Sequence, residues 1–232
     1  MARHGEAWSG TNTLAFEGRS WPAARVVERR NFFDLHATPV AEDLKPVSAA
    51  FISTSGRGRP WSTVEAVGFW RSFAEIQLED DAAIEDFVQR HGDLDGKLSP
   101  KTTVHTGSWK NLQAPCKIIA SAWEEPDAEG VSRCQRDLPT TQHALLQRHA
   151  EKNVLPNTKP ILDMAFGIRL KPATLSDFMF LSALTMFYQK TPLRRCVVCQ
   201  DWMSFSRLTA KTCSTACRGQ LSRQSRTTGT NG

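Results

Sequence analysis

Arg194-Arg195-Cys196-Val197-Val198-Cys199-Gln200-Asp201-Trp202, followed after a short gap by Thr212-Cys213-Ser214-Thr215-Ala216-Cys217-Arg218, is the stretch on which the reading of this chain turns. Its four cysteines fall in a C-x2-C-x13-C-x3-C frame. Two close pairs joined by a short connection bring four thiolates to one point without a long loop closure, and four thiolates are a ligand set for a tetrahedral zinc ion. The first pair is expected to form a knuckle whose backbone turns around the metal. The second pair stands at i, i+4 spacing, so both sulfurs leave the first turn of a helix in the same direction. A knuckle, a hairpin and a helix in that order make treble-clef geometry.

Three other readings of the cysteines compete with this one. Incidental buried thiols seldom fall into two pairs at these spacings. A disulfide requires an oxidising compartment, whereas Met1 to Gly10 carries Arg3, His4 and Glu6 and no apolar run of signal-peptide length, so a reducing, cytoplasmic location is expected. A redox C-x2-C would leave Cys213 and Cys217 without a role. Four protein ligands fill the tetrahedron and leave no position for water, so the expected cofactor is a structural Zn2+. The segment from Arg194 to Arg226 is shorter than the roughly 40 residues below which a domain usually needs a metal or disulfides. Zinc binding worth about 10–16 kcal/mol would be its folding free energy.

Working outward, the chain has 232 residues with 40% hydrophobic and 23% charged content, enough to bury a sizeable core. No stretch approaches the roughly 18 apolar residues of a membrane span, and no repeat of 20 to 50 residues is found. The expected class is α+β: a mixed body over residues 1–192, a four-cysteine finger over 193–226 and a disordered tail over 227–232. Polar residues 124–139, with two prolines and a glycine, read as an internal linker or long surface loop.

Within the body, Ser62-Thr63-Val64-Glu65 has capping-box form ahead of Val64, Val67, Trp70 and Phe73, which predicts a helix to about Leu78. A second helix is expected from Asp81 to His91, stopped by Gly92. A third is expected from Pro115, with the proline in its first turn, to Trp123. Short strands are expected around Val26-Val27, Phe32-Phe33 and Ala49 to Ile52. From Pro160 to Lys171, Leu162, Met164, Phe166, Ile168 and Leu170 recur at every second position, the period of a half-buried strand or hairpin. Thr174 and Asp177 then open a helix whose stripe of Leu175, Phe178, Leu181, Leu184 and Tyr188 belongs in the core.

The strand pair, the helix opening with Thr174-Leu175-Ser176-Asp177, and the two cysteine motifs with Gln200, Trp202, Thr212 and Arg218 together resemble a group of bacterial zinc-binding proteins. They look related to the ABATE-domain stress regulators whose finger is named for a Cys-Gly-Asn-Arg (CGNR) motif. The resemblance covers about the last seventy residues. It implies a DNA-binding role in transcription regulation. Ser214-Thr215-Ala216 stands where that finger has Gly-Asn-Arg after a cysteine.

The charge distribution points the same way. From Lys190 onward eight basic residues face one acid, Asp201, although the whole chain is only +5, so the first 189 residues are net acidic. Arg194, Arg195, Arg207, Lys211, Arg218, Arg223 and Arg226 are the candidate nucleic-acid contacts, DNA being the expected partner. Trp202 and Phe205 could stack on bases, but aromatics between such cysteine pairs more often pack beneath the metal. Basic residues also gather around zinc–thiolate centres to offset their negative charge, and a protein-interaction module, with the finger as a structural clamp, is the alternative. Arg57-Gly58-Arg59-Pro60 resembles an AT-hook core, yet a Gly-rich loop explains it.

No phosphate loop, G-x-S-x-G elbow, H-E-x-x-H or dinucleotide fingerprint occurs, so no catalytic residue is assigned and the chain is not expected to be an enzyme. No histidine follows His149, which leaves the finger without an imidazole for a nuclease site. His143 and His149 would lie on different helix faces, and His91 suits a helix terminus or the edge of the core.

Overall fold

The computed structural model describes residues 14–32, 47–163, 167–205, 207 and 209–228, and of 225–228 the backbone alone. The proposed absence of a signal at Met1 to Gly10, the apolar Phe33, Met164 and Phe166, and the end of the tail from 229 onward lie outside them.

Strands β1 (Phe16–Ser20) and β4 (Arg59–Thr63) pair antiparallel. Between them in sequence, β2 (Ala24–Phe32) pairs with β3 (Val47–Thr54), and β3 with the short β5 (Val104–His105). A register shift between Val26 and Glu28 leaves Val27 exposed, as expected of the unpaired residue of a bulge. Four helices come after β4, with β5 between the second and third: α1 (Phe69–Glu75), α2 (Asp81–Arg90), α3 (Trp109–Ala120) and α4 (Thr140–His149). A π-turn over Ala150–Val154 and a 3-10 turn over Leu155–Asn157 lead from α4 into the hairpin of β7 (Thr158–Asp163) and β8 (Gly167–Pro172). The chain then crosses the centre as α5 (Leu175–Tyr188).

α5 is buried nearly all round and not along one stripe alone, because Met179, Phe180, Ala183, Met186 and Phe187 face the interior as well as Leu175, Phe178 and Leu181. α1, α3, β1 and β8 pack around it. Phe178 stacks on Phe16 with ring centroids 4.7 Å apart, and burial of such a ring stabilises the fold by about 2–3 kcal/mol. Thr174 caps α5 by accepting from Asp177 N–H at 3.1 Å. Among the described residues no helix is long and apolar enough to cross a membrane.

Several expectations change. The helix predicted from Val64 begins only at Phe69. β4 takes Ser62 and Thr63 into pairing with Glu17 and Phe16, and the Thr63 hydroxyl accepts from Glu65 N–H in a local turn instead of capping a helix. α3 starts at Trp109, six residues before Pro115, which stands in its interior. A proline there costs about 3 kcal/mol, and burial of Trp109, Leu112, Cys116 and Ile119 offsets it. Leu162 and Ile168 stand directly opposite each other on the hairpin, but at 75% and 71% exposure they face outward; of the described residues of this run, Leu170 packs against the core.

Of the two readings of 124–139, a linker or a long surface loop, the segment has the second form and carries a short strand. Asp127 closes a turn by accepting from Glu129 and Val131 N–H, each at 2.9 Å, and Gly130 adopts the positive φ of 72° that the turn requires. This places β6 (Val131–Ser132), with Val131, Ser132, Cys134 and Leu138 buried. Far along the chain, β6 forms a three-stranded sheet with β9 (Leu193–Arg195) and β10 (Trp202–Ser204). The C-terminal cysteines are therefore mounted on a sheet to which the body contributes a strand.

Candidate metal centre

The β9–β10 hairpin carries Cys196 and Cys199 in its loop. Cys196 N–H donates to Asp201 C=O at 2.8 Å and Gln200 N–H returns to Cys196 C=O at 2.9 Å, which folds the loop into a knuckle. Gln200 completes it at a φ of 63°, a left-handed position that non-glycine residues seldom occupy. The second pair is brought in by Val197 N–H donating to Lys211 C=O at 3.0 Å. Ser214 then caps helix α6 (Thr215–Thr228), accepting from Cys217 N–H at 3.2 Å through its hydroxyl. Cys213 precedes the cap and so does not lie in the helix's first turn. α6 runs to Thr228, past the point near Leu221 where the Ser/Thr/Gly-rich composition suggests fraying.

All four sulfurs lie within 4.8 Å of one another, with Cys199 to Cys213 at 3.5 Å and Cys213 to Cys217 at 3.6 Å. A tetrahedral ion with metal–sulfur bonds of about 2.3 Å has sulfur–sulfur edges of about 3.8 Å. The four free thiols can therefore hold a metal ion, and no other such cluster occurs among the described residues. Electrostatics fits the same use. Burial raises Cys196, but backbone N–H groups of Cys199, Val198 and Cys213 overcome it and bring the thiol down to about 7. Cys199 is pushed up, first by its hydrogen bond with Cys213 and then by burial, and burial also raises Cys217. Sulfurs this close resist simultaneous ionisation unless a cation stands among them.

The knuckle is braced by the body. Trp202 is only 4% exposed, and two guanidinium groups lie over its indole, Arg71 at 3.9 Å from the ring centroid and Arg195 at 4.8 Å. Trp202 Nε1 donates to one oxygen of Glu75 at 2.8 Å, and Arg195 pairs with the other at 2.6 Å. The Trp202 backbone N–H donates to Ser72 Oγ at 2.9 Å. Arg71, 7% exposed, extends to Ser132 Oγ at 2.7 Å and thereby joins α1, β6 and β10. Gly68 allows the approach: a Cβ there would stand 2.6 Å from Trp202 O and 2.7 Å from Met203 Cα.

A second brace comes from α2. Asp201, 6% exposed, receives Arg90 and the His91 Nε2 at 3.2 Å, and Arg90 also donates to Cys199 C=O at 3.3 Å. Burial alone would raise the Asp201 carboxyl; His91 and Arg90 hold it below its ordinary value. His91 thus sits at the helix end and core edge, its ring stacked on Phe69 at 4.0 Å.

These contacts sort the candidate phosphate ligands. Arg194 leaves the set: it is 8% exposed, donates to Ala210 and Glu129 C=O at 3.2 Å each, and lies over Phe205 at 4.6 Å. Arg195 is bound to Glu75 and Gln200 C=O. Arg207, Lys211, Arg218 and Arg223 are exposed. The side chain of Arg226 lies outside the described residues. Trp202 belongs to the core and is closed to bases. Arg71, Ser72, Glu75, Arg90 and β6 are the functional partners that spacing did not identify; a charged residue on α1 between the buried Trp70 and Phe73 was their one local sign.

Outside the finger, Cys134, His143 and His149 do not converge. Cys134 Sγ lies against Phe187 C=O, the His143 ring faces Phe187 and the His149 ring faces Phe180. Burial pushes the Cys116 thiol up, as suits a core residue. No family model, curated protein or solved structure matches the chain.

Proposed function

We propose that Cys196, Cys199, Cys213 and Cys217 hold one structural Zn2+ in a treble-clef-like finger, and that this finger binds nucleic acid, with DNA as the target of a regulatory protein. Zinc is the ion favoured by an all-thiolate, closed tetrahedral set in a reducing compartment. The chain's own residues do the rest: backbone N–H groups favour the Cys196 thiolate, and Arg90, His91 and Trp202 fix the knuckle before any partner arrives.

The observation that carries the reading is the separation of the basic residues into two groups. Arg194 is buried and Arg195, though exposed, is held by Glu75 and Gln200 C=O, while Arg207, Lys211, Arg218 and Arg223 are exposed on a segment with no acid after the buried Asp201. Phosphate is the partner chemistry such a face attracts. The test is affinity for duplex DNA as a function of salt. Four to five phosphate contacts give a log-log slope of about −4. A flat salt response, or equal retention on a polyanion column by an Arg218/Arg223/Arg226 triple alanine variant, removes the reading.

One observation favours the second reading, a protein-interaction module. Leu162 and Ile168 expose an apolar pair, directly opposite each other on the β7–β8 hairpin, and a partner interface would have to extend from this pair into a larger contiguous apolar patch. Loss of a co-purifying protein on Leu162→Ser/Ile168→Ser, with DNA affinity absent from the wild type, would transfer the function to that surface.

A further inference from the structure

α6 raises a question that zinc binding leaves unanswered. Its 14 residues span about 21 Å. Over Thr215–Gln224 only Cys217, Gly219 and Leu221 are even half-buried, while Thr215, Ala216, Arg218, Gln220, Ser222, Arg223 and Gln224 are exposed. No acid occurs along it. A short helix with so little buried apolar surface is marginal in water, even with its first turn anchored by Ser214 and Cys217.

Gly219 sharpens the question. A glycine in a helix interior costs about 1 kcal/mol relative to alanine. Among the described residues nothing requires one here: a Cβ at 219 would meet only Arg223 Nη1, at an ordinary 3.9 Å, and the backbone φ is not in the left-handed region. A glycine that neither packing nor conformation demands suits a helix whose backbone is approached closely from outside. Thr215, Gly219, Ser222 and Arg223 stand at i, i+4, i+7 and i+8 and share one helix face. That face has no apolar anchor of the kind a helix needs to fill a groove on another protein.

We infer that α6 enters the major groove of duplex DNA with Gly219 at the point of closest approach, Ser222 and Arg223 towards base edges and Arg218 towards phosphate. This rests on the nucleic-acid reading above and makes it specific. The major groove is about 12 Å wide and admits a helix of about 10–12 Å diameter, more easily where the leading residues are Thr, Gly and Ser. The deep, narrow major groove of duplex RNA excludes it. Arg223 can address guanine through two donors, and Arg218 on the flank meets the backbone.

The test begins with zinc-loaded full-length protein and selection from a random-sequence duplex DNA library, followed by affinity for the selected duplex. Enrichment of a short motif is expected. Gly219→Leu should weaken binding to the selected duplex about ten-fold or more while leaving metal content and thermal midpoint at or above the wild-type values. Gly219→Ala should raise the midpoint and weaken binding less. Filling the major groove with glucosylated hydroxymethylcytosine should abolish the preference for the motif. Salt-dependent duplex binding with no enriched motif, or with Gly219→Leu indistinguishable from wild type, overturns the groove placement and leaves the phosphate-binding reading intact. Failure of the wild type to bind any duplex or single strand at low salt overturns both.

Discussion

Replacing Trp202 by alanine probes how the finger is joined to the body. The indole is 4% exposed, is contacted by the guanidinium groups of Arg71 and Arg195, and donates to Glu75. Truncating a buried Trp costs about 3–5 kcal/mol. Arg71, itself 7% exposed, would also lose the ring over which its charge is buried. For a domain of this size each kcal/mol corresponds to roughly 2–4 °C, so the thermal midpoint should fall by roughly 6–20 °C. Trp202→Phe keeps most of the apolar area and loses the hydrogen bond to a carboxylate, for which about 1.5–3 kcal/mol is expected. The assay is urea unfolding followed separately by far-UV signal for the whole chain and by metal release for the finger. Both transitions should move together, because Leu193 and Trp202 belong to the same continuous core as Phe73 and Phe178. A loss below about 1 kcal/mol, or metal release that shifts while the body's transition stays in place, would refute the idea that the finger and body form one cooperative unit.

Three further outcomes follow from individual contacts. Gly68→Ala, at the N-cap of α1, should destabilise the chain, since its Cβ would meet Trp202 O at 2.6 Å; an unchanged urea midpoint would contradict the close approach. Arg194→Ala should lower stability while leaving the salt slope of DNA binding unchanged, and Arg218→Ala should do the reverse, lowering the slope by about one. Burial raises the Asp93 carboxyl in the folded chain, so its contribution is complete below the unfolded value of about 4 and is lost as pH rises through the folded value. Asp93→Asn should therefore gain stability relative to wild type as pH rises above about 4; a difference that does not change with pH would contradict that origin.

The cysteine cluster was legible because its geometry is local: Cys196 with Cys199, and Cys213 with Cys217, are each set by a single turn of backbone. Helices with a side-chain cap and an apolar period were legible for the same reason, as Thr174 shows for α5. What the sequence hid depends on distant partners. Ser62 and Thr63 have capping chemistry, and only pairing with β1 turns them into strand. Polar residues 124–130 resemble a linker, and only β9 makes Val131 and Ser132 a strand. Arg194 and Arg218 are the same residue type in the same basic segment; Phe205, Ala210 and Glu129 are what distinguish a buried cation from an exposed one.

Metal content bears most directly on the account. Protein purified under reducing conditions should contain one zinc per chain by elemental analysis, and Cys199→Ser or Cys213→Ser should lose the metal together with the protection of the finger from proteolysis. Metal-free wild-type protein whose 193–228 region is as protease-resistant as before, and equally so in both serine variants, would contradict it.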